Sequence, residues 1–316
     1  NQDVEVSPTH LQLLLSKVNK VATFPVYRLE ELDNDERAIH FRENKTFINL
    51  PYGSKVSTWP DRNALQKLIR SNFTQIFHPE DLVVIPGCAE GQIPIEIAAH
   101  NSMHDYQLHV VAADYNVSAM NLGYLTMKSY GIDPSRVAWV QADVTKKLFF
   151  EWIHLTYPSK PRHHVVTLIQ PSLRENTLLS FLKNSSSMSQ EHELRSTVVM
   201  PILLMDVHSD WYQRCDELVK RALHSAEERQ EAPQLIWNKT KYGMEFLRLN
   251  AGKTDYVPQQ YFVYPESVKD IQKETGHQNA SLKLSDLSGE VQENMGGYPI
   301  HEGLAKRVLC LWDSVY

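Results

Sequence analysis

Three small residues at alternate positions are the feature of this sequence best suited to hold a ligand. Gly87, Ala89 and Gly91 follow the short apolar run 82–85 and precede segment 93–98, which has helical character. This order predicts a buried strand, a tight turn and a helix that tolerates a proline in its first turn. Because small residues let a ligand approach backbone N–H groups closely, the turn predicts a binding site.

The spacing of the small residues narrows the choice of ligand. A dinucleotide fingerprint has glycines in the pattern G-x-G-x-x-G, which would place a third glycine at position 92. Gln92 stands there, and the glycine falls one residue early, at Gly91. The spacing therefore counts against a dinucleotide, and a structural turn without a ligand is the other interpretation.

Two acidic residues are predicted at the carboxyl ends of the next two strands. The apolar run 108–113 ends at Asp114, and strand 137–141 leads to Asp143. A carboxylate at a strand tip can accept hydrogen bonds from both hydroxyls of a ribose, as nucleotide-type cofactors generally require. The other interpretation of Asp143 is a cap for the helix that follows.

The ends of the fourth and fifth predicted strands supply further polar side chains. Strand 165–169 leads to Gln170 and Ser172, and the apolar run 197–207 leads to His208. Because the carboxyl tips of parallel strands face the ligand crevice, Gln170 is a candidate to contact a ligand and Ser172 is a candidate to face a substrate. His208 is a candidate general base, with a structural or exposed histidine as the alternative.

The elements that must position these residues follow a regular order. Five apolar runs alternating with amphipathic segments predict an α/β fold with a Rossmann-like, doubly wound and mostly parallel sheet. A hairpin is predicted where segments 234–237 and 244–249 flank a turn, and helices are predicted over 5–22 and 304–312. The predicted parts are an N-terminal helical cap (1–79), a core (80–250) and a C-terminal extension with a terminal helix (251–316).

Tyr52 and Trp59 flank a turn within the predicted cap. They are candidates to face a substrate, and packing in the core is the alternative.

The sequence resembles the class I S-adenosylmethionine-dependent methyltransferases in the order of four features. These are the turn Gly87-Cys88-Ala89-Glu90-Gly91, the acids Asp114 and Asp143, and the hairpin. The resemblance spans about residues 80–250 and implies S-adenosylmethionine as cofactor. It implies that the turn holds the carboxypropyl end, Asp114 the ribose and Asp143 the adenine. The cofactor-binding residues so implied are Pro86, Gly87, Cys88, Ala89, Gly91, Asp114, Tyr115, Asp143, Val144 and Gln170.

The sequence departs from this family at two places. Ile85 stands where the family usually has an acid, so the methionyl ammonium needs another acceptor, such as backbone carbonyls or Gln170. Gln170-Pro171 matches the first half of the signature of amino-directed methyltransferases, but Ser172-Leu173 does not match the second half. The resemblance thus implies methyl transfer to a small-molecule or protein acceptor and leaves the acceptor atom open.

Two other functions stay open at this point. A methyltransferase-like protein that binds partners without catalysis would explain the departures. A nicotinamide-dependent reductase is the other rival, and Gln92 counts against it.

The composition limits the classes of protein to which the chain can belong. The chain has 316 residues, of which 42% are hydrophobic and 22% charged, as in ordinary soluble domains. Its net charge of −6 disfavours long nucleic acids as partners.

The three cysteines are widely spaced, which predicts no disulfide framework and favours a reducing compartment such as the cytoplasm. No membrane span or signal peptide is visible, although a removed signal stays compatible with the sequence. The histidines show no metal-ligand spacing, and His163 and His164 alternate faces of one strand.

Overall fold

A computed structural model describes most of the chain. The described residues are 13–16, 26–29, 59–114, 117–157, 164–169, 174–249, 254–284, 293–295, 298–300 and 306–314. The helices are α1 (Trp59–Ile76), α2 (Gln92–His104), α3 (Val117–Ser129), α4 (Lys147–Thr156), α5 (Glu175–Glu191), α6 (Asp210–Arg229) and α7 (Val268–Thr275). The strands are β1 (Leu13–Ser16), β2 (Val26–Leu29), β3 (Leu82–Pro86), β4 (His109–Asp114), β5 (Val137–Gln141), β6 (His164–Leu168), β7 (Arg195–Leu204), β8 (Leu235–Lys239), β9 (Gly243–Leu249), β10 (Tyr256–Val263), β11 (Asn279–Leu284), β12 (Glu293–Met295), β13 (Tyr298–Ile300) and β14 (Lys306–Ser314).

The centre of the sheet is parallel, which confirms the predicted fold class. Strands β5, β4, β3, β6 and β7 are neighbours in that order, and every pairing among them is parallel. A helix separates each of these strands from the next along the chain, as parallel pairing requires. The strand order reverses at β3, which has β4 on one side and β6 on the other. In open α/β sheets, such a reversal creates a crevice at the carboxyl ends of the strands.

Helices cover both faces of the sheet. Val83 and Ile85 of β3 pack with α1, α2 and α3, whereas Leu82 and Val84 pack with α4, α5 and α7. Since a strand buried on both faces has no polar side, its sequence is a continuous apolar run rather than an alternating one. The doubly wound arrangement is therefore confirmed.

The terminal helix predicted over 304–312 is wrong. The segment is strand β14, which runs antiparallel to β7, from Lys306 opposite Leu204 to Ser314 opposite Ser196. Leu309 packs on one face of the sheet, and Cys310 and Trp312 pack on the other. Residues 308–312 are all apolar, so this run fits both helical and strand periodicity, and the partner strand decides between them.

The hairpin predicted near 234–249 is present as β8 and β9, but it does not close the central sheet. With β10 it forms an antiparallel meander, and within the described residues β10 pairs with β7 at Leu203 and Leu204 alone. The meander packs with α6 around its own apolar cluster. The antiparallel pair that adjoins β7 along its length is β14 with β11, so the sheet continues into the predicted C-terminal extension.

The helix predicted over 5–22 is wrong where the structure describes it. Residues Leu13–Ser16 form β1, antiparallel to β2, and β2 in turn pairs in parallel with β5. A short apolar run fits either a strand or a buried helix, and pairing at a sheet edge decided for the strand. The part of the chain that the structure describes contains no helix long and apolar enough to span a membrane.

His277, just after α7, gives the folded protein a pH dependence. The ring is 5% exposed, and burial lowers its pKa to about 4. The Thr275 hydroxyl donates to the Ile271 carbonyl, so it accepts from Nδ1 of His277. Within the described residues Nε2 has no hydrogen-bond partner, so a proton there would be buried without an acceptor.

We expect His277 to weaken the fold in mild acid. Below pH ~6.5 the unfolded chain protonates this imidazole and the folded chain does not, so stability is greatest above that pH and falls towards pH 4. Between pH 7 and pH 5, His277 should account for about 1.5–2 kcal/mol of lost unfolding free energy. Urea unfolding of the wild type and of His277→Phe at both pH values measures this loss. An equal loss in both proteins would show that the ring is solvated.

Candidate functional site

The turn after β3 lies where the strand order reverses. Gly87, Ala89 and Gly91 have φ of +67°, +46° and +76°, so three alternate residues adopt the left-handed conformation. The N–H of Cys88 donates to the Ala113 carbonyl at 3.0 Å, which fixes the turn to the end of β4. The left-handed conformation favours glycine, and Ala89 is the small residue that adopts it at some cost. The alternation of small residues thus reflects the shape of this backbone.

Asp114, at the end of β4, is joined directly to the turn. Its Oδ2 accepts a hydrogen bond from the Ala89 N–H at 2.8 Å. The side chain is half-buried at the carboxyl edge of the sheet. The structure therefore brings together the turn and the acid that the sequence places far apart.

Gly91 is required by packing between elements. A Cβ atom at this position would lie 2.9 Å from Cη2 of Trp139 and 3.1 Å from Cα of Gly123. Trp139 is on β5 and Gly123 on α3, and neither residue follows from the glycine pattern. The absence of a side chain at Gly91 therefore lets α2 approach α3 and β5.

Asp143 helps to form the turn before α4. Its Oδ1 accepts from the N–H of Thr145 at 3.0 Å and from the Thr145 hydroxyl at 2.6 Å. Asp143 is 4% exposed, and Val144 packs partly buried against the core. The residue that caps α4 is Lys146, without a side-chain capping bond, so the capping interpretation of Asp143 is wrong. Asp143 instead closes a turn at the carboxyl edge, just after β5.

Cys88 contributes to the turn through its backbone. Burial raises the pKa of its thiol well above the usual value, and the charge of Asp114 raises it further. A buried, protonated thiol is a poor nucleophile.

His208 is placed away from the turn. Leu168, the last residue of β6, lies opposite Val199, but β7 continues to Leu204. At about 3.3 Å per residue, these five residues carry β7 roughly 16 Å further. His208 then lies exposed in the loop before α6, with its N–H donating to Oδ1 of Asp206. The structure does not bring this histidine to the glycine turn.

Five other predicted site residues lie at or beyond the limits of the described segments. Trp59 is the first residue of α1. Tyr52, Tyr115, Gln170 and Ser172 lie outside the described residues.

Sequence reasoning missed a buried acid that anchors the meander at this edge. Glu175, at the start of α5, is 6% exposed. Its carboxylate accepts from the N–H groups of Lys241 and Tyr242, both at 2.9 Å, and from the Tyr261 hydroxyl at 2.7 Å. Burial and this carboxylate raise the pKa of Tyr261. The β8–β9 turn is thereby fastened to the N-terminus of α5, beside the carboxyl end of β6.

A cavity of about 490 Å³ lies at the opposite edge of the sheet. It is lined by residues at the amino ends of β4 and β5, including His109, Val110 and Ala138. The cavity is therefore separate from the glycine turn, which follows a carboxyl end.

No protein-family model and no curated protein matches the chain. Among solved structures, it is similar to an S-adenosylmethionine-dependent methyltransferase from Clostridium acetobutylicum, at 9% identity over 80% of this chain and 92% of that one, with a TM-score of 0.36. It is similar to phosphoethanolamine N-methyltransferase 2 from Haemonchus contortus, at 10% identity over 87% of this chain and 60% of that one, with a TM-score of 0.41. A putative S-adenosylmethionine-dependent methyltransferase from Methanococcus maripaludis is 10% identical over 85% of this chain and 92% of that one, with a TM-score of 0.36. Similarities of this size do not assign the chain to a family.

Proposed function

We propose that the chain binds S-adenosylmethionine and transfers its methyl group to a small-molecule or protein acceptor. The hydrogen bond between Ala89 and Asp114 is the observation that supports this most strongly. It joins a turn of small residues to a strand-tip carboxylate at the point where the strand order reverses. Nucleotide-type cofactors bind in such a crevice, with a carboxylate of this kind on the ribose.

Two features favour S-adenosylmethionine over a nicotinamide dinucleotide. Gln92 is exposed at the first position of α2, where the dinucleotide fingerprint requires a glycine. The sheet also continues beyond β7 into two antiparallel strands, β14 and β11, although the hairpin on which the resemblance rests was expected at 234–249.

The residues present fit this cofactor in part. Segment 86–91 would hold the methionyl end through its backbone, and Asp114 would accept from the ribose hydroxyls. A carboxylate accepts several hydrogen bonds at once, so the bond from Ala89 is compatible with a ribose contact. Asp143 would face the adenine with a carboxylate that already accepts from Thr145. Ile85 is 0% exposed and apolar, so the ammonium would need backbone carbonyls or Gln170.

The cofactor, when bound, supplies a methyl group already activated on a sulfonium. The chain's own residues then have to bind and orient, and the turn and Asp114 are suited to both tasks because a short hydrogen bond holds them together. His208 has no role in the proposed reaction, because β7 extends well beyond the glycine turn before the chain reaches this residue.

The proposal is tested by calorimetry with S-adenosylhomocysteine. We expect S-adenosylhomocysteine to bind and NADPH not to bind. At a ligand concentration a hundred times the dissociation constant, the folded state should gain about 2.7 kcal/mol. A rise in melting temperature with NADPH and none with S-adenosylhomocysteine would overturn the cofactor assignment. Binding without turnover of any offered acceptor would favour the non-catalytic alternative.

Asp114→Ala should weaken S-adenosylhomocysteine binding by roughly 1.5–3 kcal/mol, because it removes a charged acceptor from the ribose and releases the Ala89 N–H. Calorimetry on the folded variant measures this change. Asp270→Ala removes an exposed acid on α7 and is the matched control, with no expected change in affinity. Unchanged affinity in folded Asp114→Ala would place the ribose elsewhere.

A further inference from the structure

Three side chains that can bind metal ions converge at the amino edge of the sheet. His78 follows α1, Asp81 precedes β3, and His164 begins β6. One ligand atom from each residue lies within 4.8 Å of the others. β3 and β6 are neighbours, with Leu82 opposite Val165, so Asp81 and His164 stand side by side. The cluster, His78–Asp81–His164, is at the opposite edge from the glycine turn.

The two distances from the Asp81 carboxylate to the histidines are close to those around a tetrahedral metal ion. Oδ2 of Asp81 lies 3.1 Å from Nδ1 of His164 and 3.6 Å from Nδ1 of His78. Ligands about 2.0–2.1 Å from a tetrahedral zinc ion are about 3.3 Å apart, between these two values. The same oxygen accepts from the His78 N–H at 2.7 Å, which holds the carboxylate in place.

A hydrogen-bond chain determines which nitrogen of His164 faces the cluster with a lone pair. The Thr197 hydroxyl donates its single proton to Oδ1 of Asp313 at 2.8 Å. It must therefore accept from Nε2 of His164, 3.0 Å away. In the neutral ring this leaves Nδ1 as an acceptor, directed at the Asp81 carboxylate.

Two acceptors in such close contact require a cation between them. Asp81 is 3% exposed and His164 is 5% exposed, so water does not screen the repulsion between their lone pairs. A proton shared between the two side chains or a metal ion fills this role. The outer contact through Thr197 to a carboxylate is the arrangement that orients metal-bound histidines.

We propose that His78, Asp81 and His164 bind a divalent transition-metal ion of the zinc type. Two imidazoles and one carboxylate suit zinc, whereas calcium and magnesium prefer oxygen ligands. The side chain of His78 is 56% exposed, so a water molecule can complete the coordination from the solvent side. The ion would tie the end of α1 to the starts of β3 and β6. The site is independent of the proposed methyl transfer.

The experiment is a metal titration of the full chain after treatment with a chelator. We expect a single zinc ion to bind per chain, a rise in melting temperature, and tetrahedral absorption bands with Co²⁺ in place of zinc. His78→Ala should weaken zinc binding by more than the roughly 10–100-fold typical of losing an outer contact. Thr197→Val, which removes the outer contact, should weaken it by about that factor.

The controls separate this site from adventitious binding. His224→Ala removes a histidine whose side chain is 74% exposed on α6, and it should bind zinc as the wild type does. Equal zinc affinity in the wild type and His78→Ala would overturn the proposal. An absence of zinc binding would also overturn it. In that case, ¹⁵N NMR signals showing protons on both nitrogens of His164 would identify the cation as a proton.

Discussion

Gly91→Ala is expected to lower the free energy of unfolding by about 2–5 kcal/mol. The left-handed backbone at φ +76° contributes about 1–2 kcal/mol of this loss once a Cβ is present. Overpacking contributes a further 1–3 kcal/mol or so, because the new Cβ would lie 2.9 Å from the Trp139 ring and 3.1 Å from the Gly123 backbone. Trp139 is 2% exposed, so its ring is enclosed by neighbouring side chains. Urea unfolding monitored by circular dichroism measures the loss.

Gly131→Ala is the matched control for this variant. Gly131 has φ +70°, nearly the same backbone conformation, but no atom of the described residues lies within 4 Å of its would-be Cβ. It should lose only the backbone contribution of about 1–2 kcal/mol. The difference between the two variants is therefore the cost of crowding at Gly91. Equal losses would mean that α2 can move away from α3 and β5 without cost.

Glu175→Ala is expected to lower the free energy of unfolding by about 3–5 kcal/mol. The variant removes the acceptor of two backbone N–H groups in the β8–β9 turn and of the Tyr261 hydroxyl. A buried donor left without a partner costs about 1–3 kcal/mol. Tyr242 and Tyr261 are both buried, so water cannot replace the carboxylate at their donors. Urea unfolding gives the magnitude, and amide exchange at Lys241 and Tyr242 shows where the loss occurs.

Glu191→Ala provides the comparison on the same helix. Glu191 is the exposed last residue of α5, and its removal should change stability by less than about 0.5 kcal/mol. Glu175→Gln should fall between the two alanine variants, because its amide oxygen still accepts while its NH₂ group faces a donor. If Glu175→Ala were as mild as Glu191→Ala, the β8–β9 turn would be solvated and the meander would be held by its apolar cluster alone.

Local patterns in the sequence were enough to locate the parallel strands and the glycine turn. A strand buried on both faces must be apolar throughout, and runs such as 82–85 and 108–113 contain little else. The left-handed residues of the turn favour glycine, which has no Cβ, so the spacing of Gly87 and Gly91 is visible without a partner. Asp114 could be placed at the carboxyl edge because parallel strands all end there.

Where a local sequence pattern fitted two structures equally well, pairing between distant segments decided between them. The run 308–312 is apolar throughout and fits both periods, and pairing with β7 and β11 on either side makes it part of a strand. The position of His208 depends on how far β7 extends beyond the end of β6. The register between these two distant segments sets that distance. Gly91 contacts Trp139 and Gly123, which belong to β5 and α3 and share no motif with it.

The sequence by itself determined the fold class and the glycine turn, and the tertiary structure alone decided which distant side chains meet. Asp81 and His164 are 83 positions apart, and the bond between them exists because β3 and β6 pair at their amino ends. Periodicity records which face of an element is buried, but it carries no information about the neighbour that buries it. Thr197 and Asp313 complete the same chain of hydrogen bonds only because β14 pairs with β7.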